Sequence, residues 1–210
     1  AATGVMTSGN VYGAMDVGRG VAIEAVGDDC IVAGDFDEPL SFGSGDIASQ
    51  VLGQDGFIVR LDASDAQVWS FVIGGEGDQI VEALAVDGQD LLVAAESEGT
   101  YDDFNRAALP NMDDDQVVLK LDIGGANLHE DRVFEGPEDQ EPEAVVVTPN
   151  GDVWVGVKHE GSVDYGGGKI LSQGDDDAVV LMLDASGNHL RSLRFGDPHD
   201  QDTYAIGLTS

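Results

Sequence analysis

One stretch occurs three times in this chain, and that recurrence constrains the fold more than any other feature. Residues 176–196 read DDAVVLMLDASGNHLRSLRFG, residues 54–75 read QDGFIVRLDASDAQVWSFVIGG, and residues 114–136 read DDQVVLKLDIGGANLHEDRVFEG. Leu61, Leu121 and Leu183 fall at one position of the pattern, at nearly equal intervals. A regular period on this scale marks a repeat architecture, in which each unit buries its apolar faces against its neighbours. Each copy reads as a β-hairpin, two apolar runs around a turn of Asp, Ser, Gly and Asn.

The residues between the copies complete the unit. Residues 20–26 and 30–34 are short apolar runs around Gly27-Asp28-Asp29; residues 83–86 and 91–95 flank Asp87-Gly88, and residues 144–147 and 153–157 flank Pro149-Asn150-Gly151. Asp-Gly and Asn-Gly supply the positive φ that tight hairpins need. A polar loop carrying aromatics follows each pair: Phe42 in the first, Tyr101 and Phe104 in the second, Tyr165 in the third. The unit therefore has four strands, and complete repeats span about 18–74, 75–136 and 137–196 of a single 1–210 domain. Ser8-Gly9-Asn10 aligns with Ser186-Gly187-Asn188, and residues 203–208 repeat a first strand, so partial units are expected at 1–17 and 197–210.

The third strand shows why the units stack. Side chains alternate faces along a strand. Phe57, Val59 and Leu61 share one face, as do Val117, Leu119, Leu121 and Val179, Leu181, Leu183; Ile58, Val118, Ala178 and Val180 make the opposite face apolar too. Arg60, Lys120 and Met182 share one position, where a long stem packs while its head reaches water. A sheet apolar on both sides must be covered on both sides, which radially stacked blades achieve. The expected fold is an all-β propeller of four-stranded antiparallel blades, about three complete.

Phe57-Ile58-Val59-Arg60-Leu61-Asp62-Ala63-Ser64, Val68-Trp69-Ser70, Ile73-Gly74-Gly75, Asp184-Ala185-Ser186-Gly187-Asn188 and Val163-Asp164-Tyr165-Gly166-Gly167-Gly168 are the most distinctive segments of the units. In their order within the unit they resemble the bacterial SBBP-type β-propeller repeat, over nearly the whole length of the chain. The units here are longer than those of that repeat, and its lysines are mostly missing. The resemblance implies a propeller, often in secreted or cell-surface proteins, with no single activity attached.

Charge narrows the partners. Nine basic against 41 acidic residues give a formal charge of -32, a field that repels nucleic-acid backbones and anionic lipid. Cations, a basic partner or adaptation to salt remain. No apolar run reaches the roughly 18 residues of a membrane span. Cys30 stands alone, so no internal disulfide forms. The chain starts at Ala1 without a methionine, which suggests processing or excision, and no secretory signal is legible.

In a four-stranded blade the connections between units emerge on the same rim as the loops between second and third strands. That rim then collects Glu76, Asp78, Glu138, Asp139, Glu141, Asp197, Asp200 and Asp202, together with the acids of the inner loops. Its sharpest metal candidates are Asp113, Asp114 and Asp115, and the equivalent Asp175, Asp176 and Asp177. Carboxylates and loop carbonyls are ligands for Ca²⁺, but neither run has the spacing of a loop calcium site. The competing reading is that Asp before the third strand accepts local backbone N–H groups.

No catalytic constellation is visible, and the chain is read as no enzyme. His129, His159, His189 and His199 lack ligand spacing and read as surface residues. Cys30 aligns with Asp90 and Asp152 at a strand start and has no base beside it. No G-x-S-x-G is present, and Gly166-Gly167-Gly168-Lys169 lacks the rest of a phosphate loop. Trp69 and Trp154 read as packing residues. Phe42, Tyr101, Phe104 and Tyr165 are either anchors of their loops or platforms for a glycan. The expected function is a non-enzymatic, secreted or surface-exposed structural and protein-interaction module, its incomplete unit closed by a protein partner or by the remainder of a larger propeller. The alternative is a calcium-dependent glycan-binding or ligand-binding propeller.

Overall fold

Asp at the head of each repeated turn organises the hairpin that follows it. Asp62 Oδ1 accepts the backbone N–H of Ser64 and Ala66 at 2.8 and 3.0 Å, and Asp184 Oδ1 accepts those of Ser186 and Asn188, both at 2.9 Å. The fourth turn residue adopts positive φ, at Gly187 (70°) and at its counterpart Asp65 (63°). Aspartate tolerates this region better than most side chains, so the first copy keeps the turn without glycine.

The computed structural model describes residues 18–43, 46–47, 53–101, 113–125 and 128–209. It is an all-β protein, with three four-stranded antiparallel sheets and no helix among the described residues. The first sheet runs β1 (Gly18–Val26), β2 (Asp29–Phe36), β5 (Asp55–Leu61) and β6 (Gln67–Ile73). The minor strands β3 (Leu40–Ser41) and β4 (Asp46–Ile47) pair with each other, and β7 (Gly75–Glu76) pairs with β10 (Thr100–Tyr101). The second sheet is β8 (Gln79–Asp87), β9 (Asp90–Ser97), β11 (Asp115–Asp122) and β12 (Leu128–Phe134). The third is β13 (Gln140–Val147), β14 (Val153–Asp164), β15 (Lys169–Leu183) and β16 (His189–Phe195).

The three sheets repeat their irregularities as well as their order. Between first and second strands the register shifts at Gly20/Ala22, Val81/Ala83 and Pro142/Ala144. Between third and fourth strands it shifts at Arg60/Leu61, Lys120/Leu121 and Met182/Leu183. Bulges of this kind bend a strand and re-aim one side chain. They leave Val68 and Leu190, about half exposed, out of the ladder.

Each unit lies on the one before it. Strand β8 packs across β1, β2 and β5, and β13 packs across β8, β9 and β11. The middle sheet is consequently buried on both faces. Val117, Leu119 and Leu121 join Ile31, Ala33, Ile58 and Ile73 of the first sheet; Leu92, Ala94 and Val118 join Val155, Val157, Val179 and Leu181 of the third. The far face of the first sheet buries Phe57, Val59 and Leu61 with Phe36, Leu40, Phe42 and Ile47.

Two polar staples tie successive units. On one rim the backbone N–H of Gln79 donates to Gln54 O, that of Gln140 to Asp114 O and that of Gln201 to Asp176 O, at 2.7, 2.6 and 2.9 Å. On the other, Arg60 Nη1 donates to Ile123 O at 2.9 Å, and Lys120 Nζ to Ala185 O at 3.4 Å. The heads of Arg60 and Lys120 are thus engaged rather than free in water: each also pairs with an aspartate on its own sheet, Asp29 at 2.7 Å and Asp90 at 2.9 Å.

Two alignments from sequence shift. Cys30 pairs with Leu61, the place taken by Leu91 opposite Leu121 and Val153 opposite Leu183, so Asp29 is the counterpart of Asp90 and Asp152. Residues 203–208 form no strand among the described residues. They nonetheless cross the outer face of the third sheet, where Thr203 Oγ1 donates to Val157 O at 3.0 Å and Thr203 and Ile206 crowd Gly156. The segment at 1–17 lies outside the described residues.

Candidate functional site

Alternation along a strand splits each aspartate triplet. Asp115 and Asp177 are fully buried, whereas Asp114 and Asp176 point to the other side and Asp175 is exposed. The buried pair serves the backbone. Asp115 Oδ1 accepts Gly136 N–H at 3.0 Å; Asp177 Oδ2 accepts Gln173 N–H at 3.0 Å and an Arg194 bond at 2.9 Å. A Cβ on Gly196 would fall 2.1 to 2.4 Å from the Asp177 carboxylate, so the glycine closing the repeat makes room for this aspartate. Burial pushes Asp115 up to about 6, against the N–H of Gly136, which lowers it.

What the structure brings together is a different set. Asp114, at the end of the inner loop of the second unit, meets Asp139 and Glu141 from the start of the third, and one carboxylate oxygen of each lies within 4.8 Å of the others. The rim staple places them, since Gln140 N–H on Asp114 O fixes the residues on either side of Gln140. Asp139 Oδ1 also accepts the Asp114 N–H at 3.2 Å, as Asp78 Oδ1 accepts Gln54 N–H at 2.8 Å one unit earlier. Burial, then Asp139 and Glu141, push Asp114 up to about 6. Lys158 Nζ donates to Glu141 Oε1 at 2.9 Å and lies 3.7 Å from Asp176. The hydrogen bond with Glu141 raises the lysine pKa, so it is charged at any physiological pH.

Below this cluster lies Glu96 on β9, only 9% exposed. It shares a face with Leu92 and Ala94, the face turned to the third sheet. Its carboxyl is pushed up to about 9 by burial first, then by Asp114, Glu82 and Glu141. Directly opposite on β11 is Gln116, fully buried, with neither side-chain polar atom bonded. Such orphaned polar groups are uncommon in native interiors.

The aromatic candidates divide. Phe42 and Tyr165 are 5% and 1% exposed and offer no ring face to solvent; Phe42 stacks near Phe57 at 5.5 Å, and Tyr165 near Phe134 at 5.3 Å. Tyr101 lies in β10, and Phe104 lies outside the described residues. Tyr165 Oη bonds His159 Nδ1 at 3.1 Å. His159 is fully buried, which corrects its reading as a surface residue. The alternation Val153, Val155, Val157, His159 already put it on the core face. His189 and His199 each engage a neighbour, Ser192 Oγ at 2.7 Å and Asp197 Oδ1 at 3.1 Å. Cys30 is half-buried, and burial raises its thiol pKa, the opposite of what a nucleophile needs.

The glutamines were the residues sequence reasoning missed. Asp78-Gln79, Asp139-Gln140 and Asp200-Gln201 recur at one constant interval. Gln79 and Gln140 are fully buried, and their amides donate to the carbonyls of Glu98 and Glu160, both at 3.1 Å. Their period was the available signal. No helix among the described residues is long and apolar enough to cross a membrane. Compared with known proteins, the sequence matches no family model and no curated protein.

Proposed function

We propose that the three sheets are successive blades of a β-propeller related to the SBBP-type repeat, and that the chain is a non-enzymatic structural and protein-interaction module of a secreted or surface protein. One observation carries the reading: the first strand of each unit packs across the first three strands of the unit before it, twice in succession, with both faces of the middle sheet buried. Stacked sheets with this relation meet the need of a blade for a neighbour on each side. The sequence carries no nucleophile beside a base, which favours binding over catalysis. Phe195, Tyr204 and Leu208, each at least half exposed, give a partner or a further blade apolar surface to cover. An experimental structure of the chain within its parent protein tests the fold, and sheets in an open row rather than around an axis would refute it. Static light scattering tests the partner, and a monodisperse 21.9 kDa monomer that unfolds in one step speaks against it.

A second reading, calcium-dependent ligand or glycan binding, is favoured by the meeting of Asp114, Asp139 and Glu141. Glycan arrays run with calcium and with EDTA separate the two. Binding that needs calcium and is lost in Tyr101→Ala supports this second reading; silence on every array leaves the first.

A further inference from the structure

We propose that the seam between the second and third sheets is a site for one calcium-type divalent cation, held by Asp114, Asp139 and Glu141 with Glu96 and Gln116 on its inner side. The inference deepens the calcium reading above but depends only on the packing of these two sheets, whether or not the sheets close into a propeller or bind a glycan.

Geometry supports it first. Oxygens bound at about 2.4 Å to a common Ca²⁺ lie at most about 4.8 Å apart, and the three carboxylates meet within 4.8 Å. The donors are all oxygen, and no histidine or cysteine among the described residues joins the group. A hard cation is the match, rather than zinc.

Two buried side chains add independent support. Glu96 makes no hydrogen bond or ion pair among the described residues, although it is only 9% exposed. Gln116, its cross-strand partner, is fully buried with both amide atoms unsatisfied. Both project from the face of the second sheet that the third sheet covers, and Asp114 ends the loop that enters β11 two residues before Gln116. A buried unpaired carboxylate is costly unless a counter-charge is supplied.

The repeat supplies the control. Asp35, Glu96 and Lys158 occupy one position in the three sheets, because they stand at the same distance along the second strand from the equivalent Asp29, Asp90 and Asp152. In the first sheet Arg19 pairs with Asp35 at 2.9 Å and with Glu82 at 3.0 Å. In the third, the residue itself is the cation, Lys158, beside Asp176. Only at the middle position is the residue an acid without a cationic partner among the described residues. Lys158 reaches that seam from the far side and engages Glu141 alone of its acids. One ammonium against Asp114, Asp139 and Glu141, with Arg19 held by Asp35 and Glu82, leaves the seam short of positive charge.

The test is calorimetric titration of CaCl₂ into chelator-treated protein in about 0.15 M KCl, a salt level that screens long-range attraction beyond about 8 Å. The expected result is one saturable site per chain. Asp139→Asn and Glu141→Gln should each weaken it at least tenfold, and Asp175→Asn, at an exposed carboxylate, should leave it unchanged. Glu96→Lys reproduces the arrangement of the third sheet; it should fold by circular dichroism, melt higher than wild type without calcium, and bind none. Non-saturable uptake, which is a counter-ion atmosphere only, overturns the proposal, as does calcium affinity unchanged in Glu96→Lys or in Glu141→Gln.

Discussion

Replacing Gln140 by alanine tests whether the buried glutamines lock one unit to the next. The Gln140 amide donates to the carbonyls of Glu138 and Glu160, while its Oε1 is buried without a partner. Two neutral hydrogen bonds contribute about 1 kcal/mol each, and the one buried methylene that alanine lacks, Cγ, contributes about 0.8 kcal/mol. Removing the orphan oxygen returns about 1 kcal/mol. The net loss is about 2 kcal/mol, with the backbone bond to Asp114 O retained. Gln79→Ala should cost the same to within about 1 kcal/mol, because Gln79 also donates to two carbonyls, of Glu76 and Glu98, and has the same unpaired Oε1. Gln201, which is only partly buried, should cost less than about 1 kcal/mol. Urea unfolding followed by Trp69 and Trp154 fluorescence measures all three, with an unchanged slope against urea required for comparison. If Gln140→Ala stays within about 0.5 kcal/mol of wild type, the range of an ordinary surface change, the glutamine is not a lock and the reasoning fails.

Other outcomes follow from the same packing. Leu119→Ala, in the core between the first and second sheets, should lower unfolding free energy by about 2–5 kcal/mol in the same urea assay. Gly196→Ala drives a methyl into the Asp177 carboxylate and should cost at least about 2 kcal/mol, whereas Gly207→Ala, with open space around it, should be neutral within about 0.5 kcal/mol. Burial lowers the folded pKa of His159. Its unfolded form therefore binds the extra proton, and stability is lost as pH falls below about 6.5. The stability of wild type relative to His159→Gln should shrink between about pH 7 and about pH 5, and a difference that grows would contradict the sign. An NMR titration of the ring gives the pKa directly, expected below its ordinary value.

Much of the fold was legible because strand alternation is a local signal. Val117, Leu119 and Leu121 against Val118 predicted a sheet buried on both faces, and the described core has that form. The same alternation, applied to the aspartate runs, separates Asp114 from Asp113 and Asp115. Reading three adjacent acids as one ligand set overlooked this. The group that does meet is contributed by two sheets, and no spacing within either predicts it. His159 is a surface residue by type, and only its place in the alternation with Val153, Val155 and Val157 marks it as buried. Gln79 and Gln140 escaped because a glutamine beside an acidic loop reads as solvated; only its return at a constant interval marks it as structural. Residues 203–208 have the composition of a first strand, but a strand also needs a neighbour for its ladder, and composition does not supply one.

The staple from Gln140 to Asp114 has a direction: every unit offers an edge that presents an N–H and an edge that presents a carbonyl, and the two are different surfaces. In the vocabulary of assemblies this is a head-to-tail contact, which neither pairs with itself nor contains its own stop. A cassette of one whole unit, cut at the glycines that precede Gln79 and Gln140, should therefore be removable or duplicable with both kinds of edge still matched. A cut inside a sheet keeps the staple matched but divides the ladder, so that one sheet must be rebuilt from strands of two different units.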